Sequence, residues 1–345
     1  MSKIIIYTSF FKKNNLLPFA FKYSFWALAK DGVLEVYDDG PITYESPIKK
    51  IPFQKVSQVL NKWLGGFGEI LYRDDVSRKI VYKKNASLDN RTSGWSVGIV
   101  YSGNKSEIIQ LKHCIDSVFD SLKMSGYNFE ILVCGPVGGE DDISKGKNIR
   151  YVTYDDKNQL FFIGRKKLHL VKEMHYENIA VLHTRIILSD FSFKSIPDNF
   201  DVFSPKVVFR NKNRNFPYLD FNVTAGFEVG VFPKTMPLPI DYNRYDFLKL
   251  LKYGLPYIDG GLFFCKKSIY LKQPINLNLL WGEAEDVEWC ARLYSNSVLV
   301  ELLPELTAES STYKLGMKSL YFPKKIIFFV RRIIRCMTII RSWFS

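Results

Sequence analysis

The sequence predicts an α/β protein with a small N-terminal unit, a larger domain and a basic C-terminal segment. Short apolar runs of strand type alternate with amphipathic helical runs along most of the chain. A polar stretch at 84–94, KNASLDNRTSG, separates two such series. The C-terminal segment mixes lysine and arginine with isoleucine and phenylalanine. We therefore expect an α/β accessory unit over 1–90, a domain over 91–315 and an amphipathic tail over 316–345.

The N-terminal unit is predicted from two apolar helical runs among short β-type runs. The strands are expected at 4–7, 33–37, 66–72 and 79–83, and the helices at 17–29 and 53–64. The run FWALAKDGVLEVYDDGP, followed by a helix and two strands, resembles the C-terminal half of a class I methyltransferase domain. No G-x-G pattern flanks the first strand, so the glycine-rich cofactor loop of that fold is missing. We expect a docking or accessory unit without methyl transfer.

The larger domain is predicted from a regular alternation of buried strands and amphipathic helices. The strands are expected at 95–101, 129–134, 149–154 and 178–182, and the helices at 107–124 and 165–174. The last three strands are followed by Gly135, Asp155 and His183, respectively. This pattern is typical of a nucleotide-binding sheet whose site lies at the carboxyl ends of its strands. No P-loop or dinucleotide fingerprint accompanies it, which argues against a kinase or a dehydrogenase.

Composition indicates a globular protein of the cytoplasm. Hydrophobic residues make up 47% of the 345 residues, enough for substantial cores. The five cysteines are widely spaced and share no metal-ligand or disulfide spacing, so we interpret them as reduced thiols. Residues 1–10 lack the long apolar region of a signal peptide and are expected to form a first strand.

The net charge of +13 requires an anionic partner, and much of it lies in residues 323–345. There Lys324, Arg331 and Arg335 share one helical stripe between apolar runs far shorter than the roughly 20 residues that span a bilayer. We expect this segment to lie on the anionic inner face of a membrane, with Trp343 and Phe344 as anchors. The alternative is a basic helix docked on its own domain or on a partner. No nucleic-acid stripe with stacking aromatics is evident.

The stretch WGEAEDVEWCARL concentrates carboxylates ahead of an apolar helical face. The acids are Glu283, Glu285, Asp286 and Glu288. Val287, Cys290 and Leu293 recur at helical spacing, so the acids belong to the first turn of a helix, where they complement the helix dipole. That complementation alone is one explanation for them. A catalytic carboxylate is the other.

Residues 95 to about 305 resemble a family 2 glycosyltransferase of the GT-A fold, a Rossmann-like mixed sheet that binds nucleotide-diphospho-sugars. Five stretches carry the resemblance in the family's order: WSVGIVYSG, ILVCGPVGGEDD, GRKKLHLVKEMHYENIAVLHTR, YIDGGLFFCKKS and WGEAEDVEWCARL. The resemblance implies inverting transfer from a UDP- or GDP-sugar to a saccharide or lipid-linked saccharide. Cell-surface polysaccharide synthesis is the expected setting.

The same resemblance assigns the catalytic and acceptor-binding roles. Asp286 matches the aspartate of the family's Glu-Asp pair and is the expected general base, a role that needs only hydrogen-bond reach of the acceptor hydroxyl. Glu285 and Glu288 would position acceptor hydroxyls or Asp286 itself. Trp281 and Trp289 offer flat faces for an acceptor sugar, or belong to the core.

The expected donor-binding residues follow the strand ends and the helix start. They are Tyr101, Ser102, Gly135, Asp155, Asp156, Arg165, Lys166, Lys167, His183, Arg185, Gly260 and Gly261. His183 to Arg185 replaces the family's Asp-x-Asp motif, and an arginine there repels a divalent ion. We therefore expect no metal or other cofactor, with Arg185 and the 165–167 cluster neutralising the diphosphate. The structural alternatives are that His183 is an ordinary histidine at the end of a strand and that residues 165–167 form a solvated helix start.

A second reading of the same residues is a non-catalytic GT-A module that binds sugar or nucleotide, or scaffolds a glycan-assembly complex. Loss of the acidic motif favours it. The acids at 285, 286 and 288 favour the enzyme, because a module without chemistry has no need of them.

Overall fold

The computed structural model describes residues 1–13, 16–39, 43–45, 50–85, 94–143, 149–155, 162–188, 190–211, 214–217, 221–225, 234–238, 241–251 and 253–312. The predicted amphipathic tail and Asp156 lie outside these residues. Within them, no helix combines the length and apolar content needed to cross a bilayer.

The N-terminal unit is a four-stranded sheet covered by helices, with the predicted strands and helices in place. Its elements are β1 (Lys3–Tyr7), α1 (Thr8–Lys13), α2 (Leu17–Ala27), β2 (Val33–Tyr37), β3 (Thr43–Glu45), β4 (Lys50–Pro52), α3 (Phe53–Leu64), β5 (Gly68–Asp74) and β6 (Lys79–Lys84). The sheet order is β1-β2-β6-β5, with β1 and β2 parallel and the other neighbours antiparallel. Pro18 stands in the first turn of α2, where its missing N–H costs no helical hydrogen bond.

The larger domain opens with the alternation that the sequence predicts. Its first elements are β7 (Gly94–Val100), α4 (Ile108–Ser125), β8 (Asn128–Gly135), β9 (Ile149–Thr153), α5 (Ile163–Glu173), β10 (Asn178–His183) and β11 (Ile186–Ile187). All seven residues of β7 are buried, because helices pack on both faces of a parallel sheet. Gly98 lets α5 approach closely: a Cβ there would stand 2.4 Å from Cε of Met174.

The rest of the domain extends this sheet and adds a separate sheet of three strands, at 221–225, 234–237 and 255–256. Its elements are β12 (Val202–Asn211), β13 (Arg214–Pro217), β14 (Phe221–Ala225), β15 (Lys234–Pro237), α6 (Arg244–Leu250), β16 (Leu255–Pro256), β17 (Leu262–Lys266), α7 (Lys267–Lys272), α8 (Glu285–Ser295) and β18 (Val300–Ser310). In the described part of the chain the sheet runs β11-β18-β12-β17-β10-β7-β8-β9, and β13 pairs with β12. Strands β9, β8, β7 and β10 are parallel, whereas β17 is antiparallel to both β10 and β12. The fold is therefore mixed α/β.

The N-terminal unit packs against the amino ends of the parallel strands. Nζ of Lys22 forms a buried ion pair with Asp201, just before β12, at 2.9 Å. The Tyr23 hydroxyl donates to Oε1 of Glu301, at the start of β18, at 2.7 Å. One apolar cluster continues from α2 and α3 into α6, α8 and β18. The N-terminal unit is thus joined to the larger domain by a shared core.

Candidate functional site

The sheet order places a crevice between β7 and β10. From β7 the chain moves outward through β8 to β9 and then returns to place β10 on the other side of β7. Connections leaving β7 and β10 diverge there, and α/β sheets bind ligands at such a switch point, outside the carboxyl ends of the strands. Strand β17 runs opposite to β10, so the loop before β17 reaches the same edge.

The end of β10 carries an arginine that is held by an acid from that loop. Nη2 of Arg185 lies 3.3 Å from Oδ2 of Asp259, and Nη1 donates to Nδ1 of His183 at 2.8 Å. The His183 backbone N–H donates to the Gly261 carbonyl at 2.9 Å, which ties the strand end to the loop. His183 and Arg185, both predicted as donor-binding residues, therefore lie together at the crevice.

The glycine pair after Asp259 lies close to two charged side chains, most closely at Gly261. A Cβ at Gly261 would stand 2.1 Å from Nη2 of Arg185, and one at Gly260 would stand 3.2 Å from Nζ of Lys167. The Gly261 N–H also donates to Oδ1 of Asp259 at 3.1 Å. These glycines allow backbone to approach charged side chains, which goes beyond a simple turn before a strand.

Asp286 is fixed at the start of α8 by three hydrogen bonds. Its Oδ2 accepts from the Tyr257 hydroxyl at 2.7 Å and from the Gly260 N–H at 3.2 Å, while Oδ1 accepts from the Val287 N–H at 3.0 Å. Burial, followed by the charge of Asp286, raises the pKa of Tyr257, which keeps its hydroxyl a donor. A carboxylate oxygen has two lone pairs, and the described contacts of Oδ1 use one of them. The second lone pair can accept from a further donor.

Glu285 lies beside Asp286 and is also buried. Its Oε2 accepts from the Gly282 N–H at 3.0 Å. Burial, reinforced by the neighbouring Asp286 charge, raises the pKa of Glu285 to about 7. The start of α8 therefore carries two adjacent carboxyl groups, one of which changes its protonation near neutral pH.

Two of the predicted phosphate-binding lysines point into the protein. Nζ of Lys167 donates to the Gly260 carbonyl, and only 1% of this residue is exposed. Nζ of Lys166 donates to the Tyr101 carbonyl at 2.6 Å. Both lysines are buried, so the alternative of a solvated helix start is wrong for them, while their role in donor binding stays a prediction. They brace the loop and the end of β7.

The expected nucleoside end of the crevice lies beyond β7, β8 and β9. Tyr101 is fully buried, and its hydroxyl donates to Oδ2 of Asp142 at 2.7 Å. Its ring is therefore not available for stacking on a base, and only its backbone lies at this edge. Gly135 lies against Tyr151: a Cβ there would stand 2.4 Å from the Tyr151 hydroxyl. Ser102 and Asp155 are exposed at the same edge.

A basic cleft continues this edge along the outer side of α5. Its lining residues are Tyr154, Arg165, Leu168, His169, Lys172 and Leu277. The Arg165 guanidinium stacks on the Phe162 ring at 4.2 Å and donates through Nε to the Leu277 carbonyl at 2.9 Å. Arg165 is thus positioned at the crevice edge by contacts that the sequence did not indicate.

The structure bears on three residues that were assigned to the acceptor side at or before α8. Trp289 is fully buried against Phe263 and Tyr270 and donates through Nε1 to the Gln273 carbonyl, so it belongs to the core and not to an acceptor surface. Glu288 forms an ion pair with Arg292 at 2.7 Å along the helix, and its role in positioning acceptor hydroxyls stays a prediction. Trp281, by contrast, is 61% exposed and could meet an acceptor.

Two site residues escaped prediction from the sequence. Asp259 pairs with Arg185, and Tyr257 holds Asp286. Both lie in the stretch YIDGG, which carried the resemblance, but an aspartate before glycine is common in turns and gave no separate signal. Among the described residues, no group of three or more His, Cys, Asp or Glu side chains is arranged to hold a metal ion. Metal independence stays a prediction.

Comparisons with known proteins give no family assignment. No protein-family model matches the chain, and no curated protein matches it. Among solved structures, 61% of the chain aligns with the catalytic domain of Drosophila β1,4-galactosyltransferase 7 in complex with xylobiose, at 12% identity, a TM-score of 0.35 and 64% coverage of that chain. Similarly, 63% aligns with S. aureus TarS, residues 1–349, at 11% identity, a TM-score of 0.37 and 60% coverage.

The chain thus spans less than two thirds of the length of either structure. A TM-score below 0.5 does not establish a shared fold. The fold class therefore rests on the strand order, and the function on the residues of the crevice.

Proposed function

We propose that this protein is an inverting glycosyltransferase that moves a sugar from a nucleotide-diphosphate sugar to a saccharide or lipid-linked saccharide acceptor. One observation carries the proposal: the switch-point crevice brings together the end of β10, the Asp259 loop and the carboxylates that begin α8. A cationic group beside a fixed carboxylate is the arrangement that single-displacement glycosyl transfer needs.

In this mechanism Asp286 is the general base. The acceptor oxygen attacks the anomeric carbon while the bond from that carbon to the diphosphate oxygen breaks, and the leaving nucleoside diphosphate keeps the electron pair. The acceptor proton passes to the available lone pair of Oδ1. The Tyr257 hydroxyl and the Gly260 N–H hold Oδ2, so the carboxylate enters the reaction already oriented.

The negative charge that develops on the leaving group is met by Arg185. A guanidinium keeps its charge at every working pH and binds phosphate oxygens through a planar fork. His183 contacts Arg185 and orients it. In this proposal no metal or other cofactor is used.

The acceptor approaches past Trp281, whose exposed ring can stack on a sugar. A setting in polysaccharide synthesis at the cytoplasmic face of a membrane is part of the proposal. Its support is the family resemblance and the basic segment 323–345, which lies outside the described residues.

Asp286→Asn tests the assignment. With UDP-glucose, UDP-galactose, UDP-N-acetylglucosamine and GDP-mannose as donors, we expect release of nucleoside diphosphate to fall by about 100-fold or more, because general-base catalysis typically contributes that much. The variant should still bind the donor. Binding is measured as a rise in melting temperature, since a ligand that binds only the folded state stabilises the folded state.

Asp120→Asn, which changes an exposed carboxylate on α4, is the matched control and should leave turnover unchanged. If Asp286→Asn turns over the donor as fast as wild type does, Asp286 is not the general base. If folded wild-type protein is neither stabilised by any of these donors nor turns any of them over, the result would favour the non-catalytic module.

A further inference from the structure

The pair formed by Arg185 and Asp259 is one of the most enclosed charge pairs at the crevice. The side chains are only 14% and 7% exposed. Leaving an arginine enclosed without a counter-charge is strongly unfavourable, so a carboxylate partner stabilises it when no ligand is bound. Gly261 is required for this contact, because a side chain there would collide with Nη2.

We propose that Asp259 is a resting counter-ion for Arg185, which the diphosphate of the donor displaces when it binds. The proposal rests on the proposed function, since it assumes that a nucleoside diphosphate enters this crevice. Phosphate oxygens and carboxylate oxygens compete for the same guanidinium fork, and a diphosphate carries more negative charge than a single carboxylate.

Asp259 can release Arg185 without losing all of its own partners. Its Oδ1 accepts from the Gly261 N–H at 3.1 Å, a bond that does not involve the arginine. His183 also keeps Nη1 of Arg185 in place at 2.8 Å, and the contact that the diphosphate has to replace is the one from Nη2 to Asp259. The exchange therefore takes place at the Nη2 contact, at the end of the side chain, and needs no movement of β10.

The pair between Arg185 and Asp259 lowers the affinity for anions and raises the selectivity among them. Asp259 competes with every anion, which weakens donor binding. It also discriminates against weakly charged anions, because these cannot replace a carboxylate that the fold already holds against Arg185. Asp259 is thus a positioning residue that sets which anions enter.

The test is the affinity for UDP and GDP, measured by titration calorimetry at one fixed ionic strength. Asp259→Asn keeps the oxygen that accepts from Gly261 but removes the charge that competes for Arg185. We expect the affinity for the nucleotide that binds wild-type protein to rise by about five- to tenfold. A role in folding alone would lower the affinity or leave it unchanged.

Glu130→Gln is the matched control. It removes one carboxylate from another arginine pair, with Arg150 at 3.2 Å, near the amino end of β8 and away from the crevice. Its affinity should stay within about twofold of wild type, because Glu130 lies five residues, roughly 16 Å of strand, before the carboxyl end of β8, which is farther than the Debye length of about 8 Å. An equal rise in both variants would mean that net charge, and not the Arg185 pair, controls binding.

A crystal structure of the wild-type protein with UDP or GDP gives a second test that does not depend on the variant folding. We expect Nη2 of Arg185 on a phosphate oxygen and Asp259 separated from it. An intact pair in the complex would overturn the proposal but leave glycosyl transfer standing. No binding of either nucleotide by wild type or Asp259→Asn would overturn both.

Discussion

Glu285 gives the crevice a charge that depends on pH near neutrality. Its pKa of about 7 lies above the 4.5 of an exposed glutamate, first because the side chain is buried and second because Asp286 is adjacent. The folded protein therefore binds a proton that the unfolded chain has already lost between these values. Stability falls as pH rises through this window, because the folded state binds more protons there.

Glu285→Gln should remove this dependence. A neutral amide keeps the acceptor oxygen for Gly282 but has no proton to lose. Relative to wild type, the variant should gain about 2 to 3 kcal/mol in the free energy of unfolding between pH 4.5 and pH 7.5. Urea unfolding at a series of pH values measures it.

Glu288→Gln, one turn further along α8, is the control, because Glu288 is partly exposed and paired with Arg292. Its stability relative to wild type should change little over the same range. If the free energies of unfolding of wild type and Glu285→Gln change in parallel with pH, Glu285 has the ordinary pKa of a glutamate.

At the scale of single residues, sequence reasoning pointed to Asp286, whose role as general base stays a prediction, and it placed Trp289 among the acceptor-binding residues although Trp289 lies in the core. Asp286 belongs to a motif, and motifs identify residue types. Trp289 lies four residues before Leu293, a spacing that is compatible with the core face of α8, and the core was the alternative left open for it. Asp259 could not be found, because its importance depends on an arginine 74 residues earlier in the chain.

The loop before β17 is the element that organises the site. It contacts β10 through the Gly261 carbonyl, α5 through Lys167 and α8 through the Gly260 N–H. One short loop thereby aligns a strand end and two helix starts. Its glycines are where a small change should have a large effect.

Gly261→Ala should disrupt this junction. The new methyl group would meet Nη2 of Arg185 at 2.1 Å and Oδ2 of Asp259 at 3.1 Å, so the ion pair must open. We expect a loss of about 1 to 3 kcal/mol in the free energy of unfolding, the usual cost of overpacking. Urea unfolding of the variant measures the loss.

Gly66→Ala is the control, since nothing lies within 4 Å of a Cβ at that position. It should cost nothing measurable or stabilise slightly, because alanine restricts the unfolded chain. Equal behaviour of the two variants would mean that the loop yields without strain.

Prediction from sequence succeeded for strands with continuous apolar runs and failed for interrupted ones. The four parallel strands were predicted within a few residues. Strands β12 and β18 were not predicted, and each contains a proline, Pro205 and Pro304. Their pairing shifts register directly after Pro205, a bulge where a proline is tolerated within a sheet.

At the scale of the whole molecule, the N-terminal unit and the site occupy opposite ends of the sheet. The unit contacts the amino ends of β12 and β18, whereas the crevice lies at the carboxyl ends of β7 and β10. Helix α8 connects them: Asp286 is at its start, and Tyr294, near its end, packs on Trp63 of α3 with ring centroids 5.1 Å apart. The polar linker suggested two independent units, but the shared core could not be anticipated from either half alone.

The described parts of the two units should unfold together. Lys22→Met removes one partner of the buried pair with Asp201 and leaves an uncompensated carboxylate, which typically costs about 3 to 5 kcal/mol. In differential scanning calorimetry, one transition should move as a whole to lower temperature. Two separated transitions would show that the units are independent.

Lys3→Met is the control, because Lys3 is half exposed and pairs with Glu35 within the N-terminal unit alone. Surface pairs of this kind contribute little, so the transition should hardly move.

The bond from Tyr23 to Glu301 spans 278 residues of chain, and this separation affects how the protein is made. A ribosome adding roughly 5 to 20 residues per second needs about 14 to 56 seconds between these two positions. During that interval α2 has no access to β18, and for nearly all of it Tyr294 of α8, which packs on Trp63 of α3, has not yet been made. The nascent N-terminal unit must wait with part of its core uncovered, which makes it a natural client for a chaperone until the last strand of the sheet emerges.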